Sequence, residues 1–125
     1  MSHLSALVVD DSATMRRQLA LALQRISGLR AVEASDGAEA WRALSAGTFD
    51  ILLTDVNMPV LDGLKLIALV RAGGHHQRIP VVVITTEGAE ADRRRAIGLG
   101  ADTYLVKPVQ AHQVVDAVKR LLGLG

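Results

Sequence analysis

The sequence alternates short apolar runs with longer segments whose apolar residues recur at helical spacing, and this alternation repeats five times. The five runs predict strands at residues 4–9, 30–34, 51–55, 81–85 and 103–106. Strands that alternate with helices through short loops indicate right-handed crossovers and a parallel sheet covered on both faces. We therefore predict an α/β fold, in which five helices flank a doubly wound five-stranded parallel sheet.

Glycines and single acidic residues mark the helix ends. The apolar residues Met15, Leu19, Leu23 and Ile26 follow helical spacing, so we expect the first helix to run from Ser12 to near Gly28. Isolated aspartates are most often helix caps or turn formers, and we give that interpretation to Asp36, Asp62 and Asp92. Among the three aromatic residues, Trp41 and Phe49 are expected to pack in the core.

Composition limits the class of protein. A length of 125 residues predicts one domain, residues 1–125, and half of the residues are hydrophobic, which is enough for a core. There is no cysteine, so a disulfide framework and a thiolate metal site are excluded, and we expect a cytoplasmic protein. The formal net charge of +1 is too small to indicate direct binding of nucleic acid or of a membrane surface. The sequence also shows no membrane span and no leader, so we do not expect a membrane protein. The run Arg93-Arg94-Arg95 fans around a helix and is expected to be a solvated face.

Polar residues stand where the predicted strands end. Asp10-Asp11, Asp55, Thr85 and Lys107 follow or close four different strands, and the carboxyl ends of parallel strands meet at one edge, where ligands of such sheets bind. Three carboxylates and one lysine have a formal sum of −2, so a cation is expected there. Oxygen ligands without cysteine or histidine favour Mg²⁺, which Mn²⁺ can replace.

A magnesium site of this kind usually shares its ligands with a phosphate, so phosphoryl transfer is the first chemistry to consider. Asp55 is the candidate nucleophile, because a carboxylate can accept a phosphoryl group as an acyl phosphate. Lys107 supplies a second positive charge, and the Thr85 hydroxyl can donate a hydrogen bond to a phosphoryl oxygen. Since that bond forms only once the group has arrived, it can act as a switch.

Several stretches together resemble the receiver domain of bacterial two-component response regulators, of the stand-alone chemotaxis type, over essentially the whole chain. They are Val8-Val9-Asp10-Asp11-Ser12, Asp55-Val56-Asn57-Met58-Pro59 with Asp62-Gly63, Ile84-Thr85, and Tyr104-Leu105-Val106-Lys107-Pro108. The resemblance implies the strand order 2-1-3-4-5. It also implies that Asp55 is the phosphoacceptor and that Asp10, Asp11, Asp55 and the backbone carbonyl of Asn57 hold Mg²⁺.

The same resemblance implies further roles. Thr85 and Lys107 would contact the phosphoryl group, Tyr104 would turn inward and change the surface of the fourth helix, fifth strand and fifth helix, and Lys107–Pro108 would be a cis peptide. Asn57 and Glu87 occupy the two positions that tune dephosphorylation. Two positions depart from the chemotaxis pattern: Thr86 replaces a small residue and Val109 an aromatic one.

The resemblance implies a sensor histidine kinase as phosphodonor, with acetyl phosphate as a small substitute. It implies a downstream protein such as a motor switch, another kinase or an adaptor, and a monomer that could dimerise on phosphorylation. Such a domain is not a conventional enzyme, because it catalyses only its own phosphorylation and dephosphorylation. Alternatives are the receiver part of a larger transcriptional or output regulator, which the end at Gly125 disfavours, an Asp-nucleophile phosphatase and a flavin carrier.

Overall fold

The computed structural model describes residues 3–124; Met1, Ser2 and Gly125, the ends of the predicted domain 1–125, lie outside the described residues. Strands and helices alternate strictly, as predicted. The strands are β1 Leu4–Val9, β2 Leu29–Ala34, β3 Ile51–Thr54, β4 Val81–Thr85 and β5 Thr103–Val106, and the helices are α1 Ala13–Leu23, α2 Gly37–Ala46, α3 Gly63–Ala72, α4 Glu90–Leu99 and α5 Ala111–Leu122. None of these helices has the length and apolar character that crossing a bilayer requires.

The five strands form one parallel sheet in the order β2-β1-β3-β4-β5, which confirms the predicted fold and strand order. β4 lies inside the sheet, and all five of its residues are buried. The winding direction reverses between β1 and β3, which are direct neighbours. In sheets of this type a crevice opens at that point, outside the carboxyl ends of the strands.

Side chains of each central strand alternate between two apolar layers. In β1, Leu7 and Val9 face the cluster packed under α2, α3 and α4, whereas Ala6 and Val8 face the cluster packed under α1 and α5. This alternation follows from the two-residue period of a strand. Trp41 and Phe49 pack against the first cluster, as predicted.

Two of the three predicted caps are confirmed and one is wrong. Asp36 and Asp62 are the N-caps of α2 and α3, and each accepts a hydrogen bond from the backbone N–H three residues later. Asp92 lies instead within the first turn of α4, whose N-cap is Ala89. An acidic side chain in the first turn still interacts favourably with the helix dipole, so Asp92 stabilises the start of α4 without being its N-cap.

The first helix is shorter than predicted. α1 ends at Leu23, and the backbone of residues 24–26 forms i to i−3 hydrogen bonds, the tighter turns that often finish a helix. Ile26 is nevertheless buried under α1, which is why it follows the helical spacing. Gly28, at φ 80°, then reverses the chain into β2.

Candidate functional site

Strand register places the predicted site residues at one edge of the sheet. Val9 of β1 is level with Thr54 of β3, so Asp10 and Asp55 follow side by side. Thr85 of β4 is level with Val106 of β5, and the Lys107 backbone N–H donates to the Thr85 carbonyl at 2.8 Å. The carboxyl edge therefore gathers residues that are far apart in sequence.

Three carboxylates meet at this edge. Asp10, Asp11 and Asp55 each offer an oxygen, and these oxygens lie within 4.8 Å of one another. Asp10 is 1% and Asp55 7% exposed, whereas Asp11 is open to solvent. We call this group, with Lys107, the acidic pocket: two of its carboxylates form a buried wall and the third forms the rim.

Every oxygen of the two buried carboxylates accepts a hydrogen bond. Asp55 Oδ1 accepts from the backbone N–H groups of Val56 at 2.6 Å and Asn57 at 3.2 Å. Asp10 Oδ1 accepts from the Ser12 N–H at 2.9 Å. The other oxygen of each faces Lys107. Within residues 3–124, the Asp11 carboxylate accepts no hydrogen bond from the protein.

Lys107 is the cation of the acidic pocket. Its Nζ donates to Asp10 Oδ2 at 2.8 Å and to Asp55 Oδ2 at 2.9 Å. Burial by itself would lower the pKa of Lys107, but its hydrogen bonds and attraction to the two carboxylates outweigh that effect and raise the pKa above its ordinary value. The ammonium therefore stays charged, and the pocket keeps the formal charge of −2 that its three carboxylates and one lysine give.

The donor set fits a hard divalent cation. The candidate metal ligands in the acidic pocket are all carboxylate oxygens, and no histidine belongs to the cluster. The Asp11 carboxylate accepts no hydrogen bond from residues 3–124. Such ligands favour Mg²⁺. Asp10, Asp11 and Asp55 are the residues that can bind a metal ion here. The Asn57 carbonyl stays a predicted ligand.

A chain of hydrogen bonds connects the loops that follow β3 and β4. Asn57 Nδ2 donates to Glu87 Oε1 at 2.6 Å and so joins the β3–α3 loop to the β4–α4 loop. The Tyr104 hydroxyl donates to the Glu87 carbonyl, and the Glu87 N–H donates to Thr85 Oγ1 at 3.3 Å. The predicted switch and rate-tuning residues are therefore connected to one another through Glu87.

Thr85 and Tyr104 differ in their surroundings. Thr85 is completely buried, whereas Tyr104 is half-buried against the cluster under α2, α3 and α4. Burial raises the pKa of Tyr104, and nearby carboxylates, Asp92 foremost, raise it further. The hydroxyl thus remains a donor at neutral pH. Thr86, one of the two departures from the chemotaxis pattern, is exposed.

Two backbone features shape the pocket. The Lys107–Pro108 peptide bond is cis, as the resemblance implies. Gly63 lies against the backbone carbonyl of Asp55, where a Cβ atom would overlap it, and the Gly63 N–H donates to the Val56 carbonyl at 2.9 Å. The Asp62-Gly63 pair thus caps α3 and lets the helix approach the Asp55 backbone.

Sequence reasoning missed one residue next to the pocket. Arg16 of α1 donates from Nη1 to the Asp10 carbonyl at 2.8 Å and from Nε to Glu33 Oε1 at 3.1 Å. An arginine near the start of a helix belongs to no sequence motif that would indicate such contacts. The only available signal was the pairing of β1 with β2, which places Glu33 level with Val8, two residues before Asp10.

Comparison with known proteins identifies the class that this fold and pocket define. The model of the response regulator receiver domain matches residues 6–119, and the chain belongs to this family. As a receiver domain it is a phosphoacceptor and not a conventional enzyme, which argues against the phosphatase and flavin-carrier alternatives.

Within the family the chain is similar to chemotaxis proteins of the CheY type. It is 41% identical to CheY1 of Helicobacter pylori over 118 residues, covering 94% of this chain and 95% of that protein. It is 38% identical to the CheY homolog of Campylobacter jejuni over 120 residues, covering 95% and 92%.

Solved structures agree with this placement. CheY4 of Vibrio cholerae superimposes with a TM-score of 0.89 at 30% identity, covering 97% of this chain and all of that one. The receiver domain of a Pseudomonas aeruginosa sensor histidine kinase superimposes with a TM-score of 0.87 at 26% identity, covering 98% and 99%. That receiver domain holds a magnesium ion in its active-site cleft.

Proposed function

We propose that the protein accepts a phosphoryl group on Asp55 in a Mg²⁺-dependent reaction and passes the signal on by changing its protein contacts. The observation that supports this most strongly is the composition of the acidic pocket. One oxygen from each of three carboxylates lies within 4.8 Å of the others, and within residues 3–124 Lys107 is the only cationic side chain hydrogen-bonded to these carboxylates. A purely structural cluster would be expected to balance its charges, because buried carboxylates repel one another.

Asp55 is the proposed nucleophile. One carboxylate oxygen forms a bond to phosphorus while the bond from phosphorus to the leaving group breaks, and the product is an acyl phosphate. With a phosphohistidine donor, the imidazole nitrogen leaves and takes up a proton. The backbone N–H groups of Val56 and Asn57, which donate to Asp55 Oδ1, fix the orientation of the carboxylate before the reaction.

Asp10, Asp11 and Asp55, with the carbonyl of Asn57, would hold the Mg²⁺, or Mn²⁺ in its place. The ion supplies charge neutralisation of the phosphoryl oxygens and aligns donor and acceptor. Lys107 would then donate to a phosphoryl oxygen, since its ammonium already contacts Asp55. The Thr85 hydroxyl would donate to another oxygen and, by moving, would allow Tyr104 to turn inward.

We further propose a chemotaxis-type role in the cytoplasm, which the similarity to the Helicobacter and Campylobacter proteins supports. The phosphodonor would be a sensor histidine kinase. The output surface would consist of α4, β5 and α5, and its target would be a protein such as a motor switch, a kinase or an adaptor, bound by a monomer, or by a dimer formed on phosphorylation. Neither nucleic acid nor a membrane is a proposed partner.

Intact-protein mass spectrometry tests the assignment of Asp55. Incubation with Mg²⁺ and acetyl phosphate should add one phosphoryl group to the wild-type protein, and Asp55→Ala should add none. Asp116→Ala is the matched control, because Asp116 is an exposed carboxylate of α5 that does not belong to the acidic pocket. Full incorporation in Asp55→Ala would contradict the proposal.

The output role needs a separate experiment. Protein treated with Mg²⁺ and beryllofluoride, an analogue of the phosphoryl group, should bind a purified motor-switch protein more tightly than untreated protein does. Asp55→Ala should bind equally under both conditions. Equal binding of treated and untreated wild-type protein would contradict a chemotaxis output of this kind while leaving phosphorylation itself intact.

A further inference from the structure

Arg16 is the side chain that contacts the backbone of the β1–α1 loop from outside the acidic pocket. It lies in the first turn of α1, with a side chain that is 18% exposed. Nη1 donates to the Asp10 carbonyl oxygen at 2.8 Å, and Nε donates to Glu33 Oε1 at 3.1 Å. The guanidinium therefore bridges the loop that carries Asp10 and Asp11 to the edge strand β2.

The Asp10 carbonyl belongs to the peptide unit that joins Asp10 to Asp11. Because a peptide unit is planar, fixing the direction of its carbonyl also fixes the direction in which the chain leaves toward Asp11. This matters because the Asp11 carboxylate accepts no hydrogen bond from the described part of the chain. No hydrogen bond from residues 3–124 therefore holds it beside the carboxylates of Asp10 and Asp55, so the direction of the backbone at Asp11 matters for its position.

Glu33 gives Arg16 a fixed anchor. It lies on β2, level with Val8 of β1, and its carboxylate contacts both Arg16 at 3.1 Å and Arg17 at 3.6 Å. A guanidinium is a planar fork, so one group can donate to a carbonyl and to a carboxylate at the same time in a fixed geometry. Arg17 is more exposed, at 66% of its side chain, and makes no hydrogen bond to the loop.

We infer that Arg16 is a positioning residue for the metal-binding carboxylates: its bridge from Glu33 to the Asp10 carbonyl holds the Asp10–Asp11 peptide so that Asp11 faces Asp10 and Asp55. This inference rests on the proposed magnesium site. Electrostatics alone makes the opposite prediction, because a positive charge close to the pocket weakens the binding of a cation. The sign of the change on removing Arg16 therefore separates the two effects.

Isothermal titration with Mg²⁺ alone, without a phosphodonor, measures this sign. Arg16→Met keeps the apolar stem and removes both hydrogen bonds, and we expect it to raise the dissociation constant for Mg²⁺ about tenfold, the lower end for losing a group that orients a metal ligand. Arg17→Met is the matched control. It removes the same charge and a contact to the same Glu33, and it should leave the dissociation constant unchanged or lower it.

A second readout uses the protein without metal. In Arg16→Met the backbone amide NMR shifts of Asp11 and Ser12 should change, while in Arg17→Met they should keep their wild-type values. Urea unfolding first establishes that each variant is folded. If Arg16→Met does not fold, Arg16→Gln is measured instead, with the same expected results. Glutamine keeps a polar end but lacks the forked guanidinium.

The possible failures are distinguishable. If the wild-type protein binds no Mg²⁺, the proposed metal site itself is wrong. If the wild-type protein binds Mg²⁺ and the Arg16 variant binds it as tightly as, or more tightly than, Arg17→Met, the positioning role of Arg16 is overturned and the metal site stands.

Discussion

The two ends of the sheet use the same polar residue types in opposite ways. At the carboxyl end, three carboxylates share one lysine, and Asp11 has no hydrogen-bond partner in the described part of the chain. At the amino end, the half-buried Asp50 and the exposed Asp102 each have a backbone donor and do not share one cation. Asp50 Oδ2 accepts from the Ser5 N–H at 2.7 Å, and Asp102 Oδ2 accepts from the Val81 N–H at 2.8 Å.

Arg71 completes the amino end. It donates to the Gly100 carbonyl from Nε at 3.2 Å and from Nη2 at 2.7 Å, to the Gln77 carbonyl at 3.0 Å and to Asp102 at 3.2 Å. The acids of the amino end thus lie apart, each with a backbone donor, whereas three carboxylates gather around one lysine in the acidic pocket. The contrast shows that the gathering of several carboxylates around one cation, and not the presence of aspartate, separates structural acids from a site that expects a ligand.

The largest effect on stability should come from the amino end. Arg71→Ala leaves the Gly100 and Gln77 carbonyls without their charged donor, and we expect it to lower the free energy of unfolding by about 2 kcal/mol. Its Mg²⁺ affinity should stay at the wild-type value. Urea unfolding and Mg²⁺ titration measure the two quantities, with Arg78→Ala, an exposed arginine near α3, as control. An Arg71→Ala variant that keeps full stability but loses Mg²⁺ binding would contradict the assignment of a structural role to the amino end and a metal-binding role to the carboxyl end.

Removing an aspartate is expected to change the free energy of unfolding in opposite directions at the two ends. Without metal, Asp55→Asn removes one charge from the unbalanced pocket and should raise the free energy of unfolding by about 1 kcal/mol. Asp50→Ala removes the acceptor of the Ser5 N–H and should lower it by about 1 kcal/mol. Urea unfolding in a chelating buffer measures both. Destabilisation by Asp55→Asn as large as that by Asp50→Ala would show that the pocket is balanced after all.

Backbone strain also differs between the ends. At the amino end the left-handed positions Gly28, Gly74 and Gly100 are glycines, with φ of 80°, 95° and 120°. At the carboxyl end Val60, in the loop after Asp55, has φ 71° and is 85% exposed. Because a β-branched residue is strained there, Val60→Gly should raise the free energy of unfolding by about 0.5 kcal/mol. Thermal unfolding measures this, and a lower stability of the glycine variant would contradict it.

The smallest effect is a pH dependence at the amino end. His76 is buried, and its Nε2 accepts the Phe49 N–H at 2.9 Å, which requires an unprotonated Nε2. Burial, followed by the charge of His75, lowers the pKa of His76 below 6.5. The folded state therefore favours the neutral ring. The contribution of neutral His76 to stability is complete above pH 6.5 and is lost as the pH falls through the pKa of His76 in the folded protein.

Urea unfolding at pH about 7.5 and about 5.5 detects this loss. His76→Gln should reduce the difference between the two values, while His112→Gln, at an exposed position of α5, should keep it. An equal pH dependence in His76→Gln and the wild-type protein would contradict the assignment to His76.

The carboxyl end was predictable from sequence and the amino end was not. Asp10, Asp11, Asp55 and Lys107 each follow a strand, and the rule that parallel strands end at one edge brings them together without knowledge of the structure. The partners of Asp50, Asp102 and His76 depend on tertiary distances between loops, which no periodicity encodes.

The Arg16 bridge was missed for the same reason: it joins a helix to an edge strand, and only the β1–β2 register relates them. The end of α1 was misplaced because burial of Ile26 continues the helical spacing past the last helical residue. In both cases tertiary packing decided what the local pattern left open.

If the uncompensated negative charge of the acidic pocket binds Mg²⁺, the stability of the protein must depend on the Mg²⁺ concentration. Urea unfolding of the wild-type protein should give a free energy that rises with Mg²⁺, by about 2.7 kcal/mol at a concentration one hundred times the dissociation constant. The Asp55→Asn variant should have a higher free energy of unfolding than the wild-type protein without metal, and this free energy should rise much less as Mg²⁺ is added. If Mg²⁺ stabilises both proteins equally, or neither, the pocket is not a magnesium site.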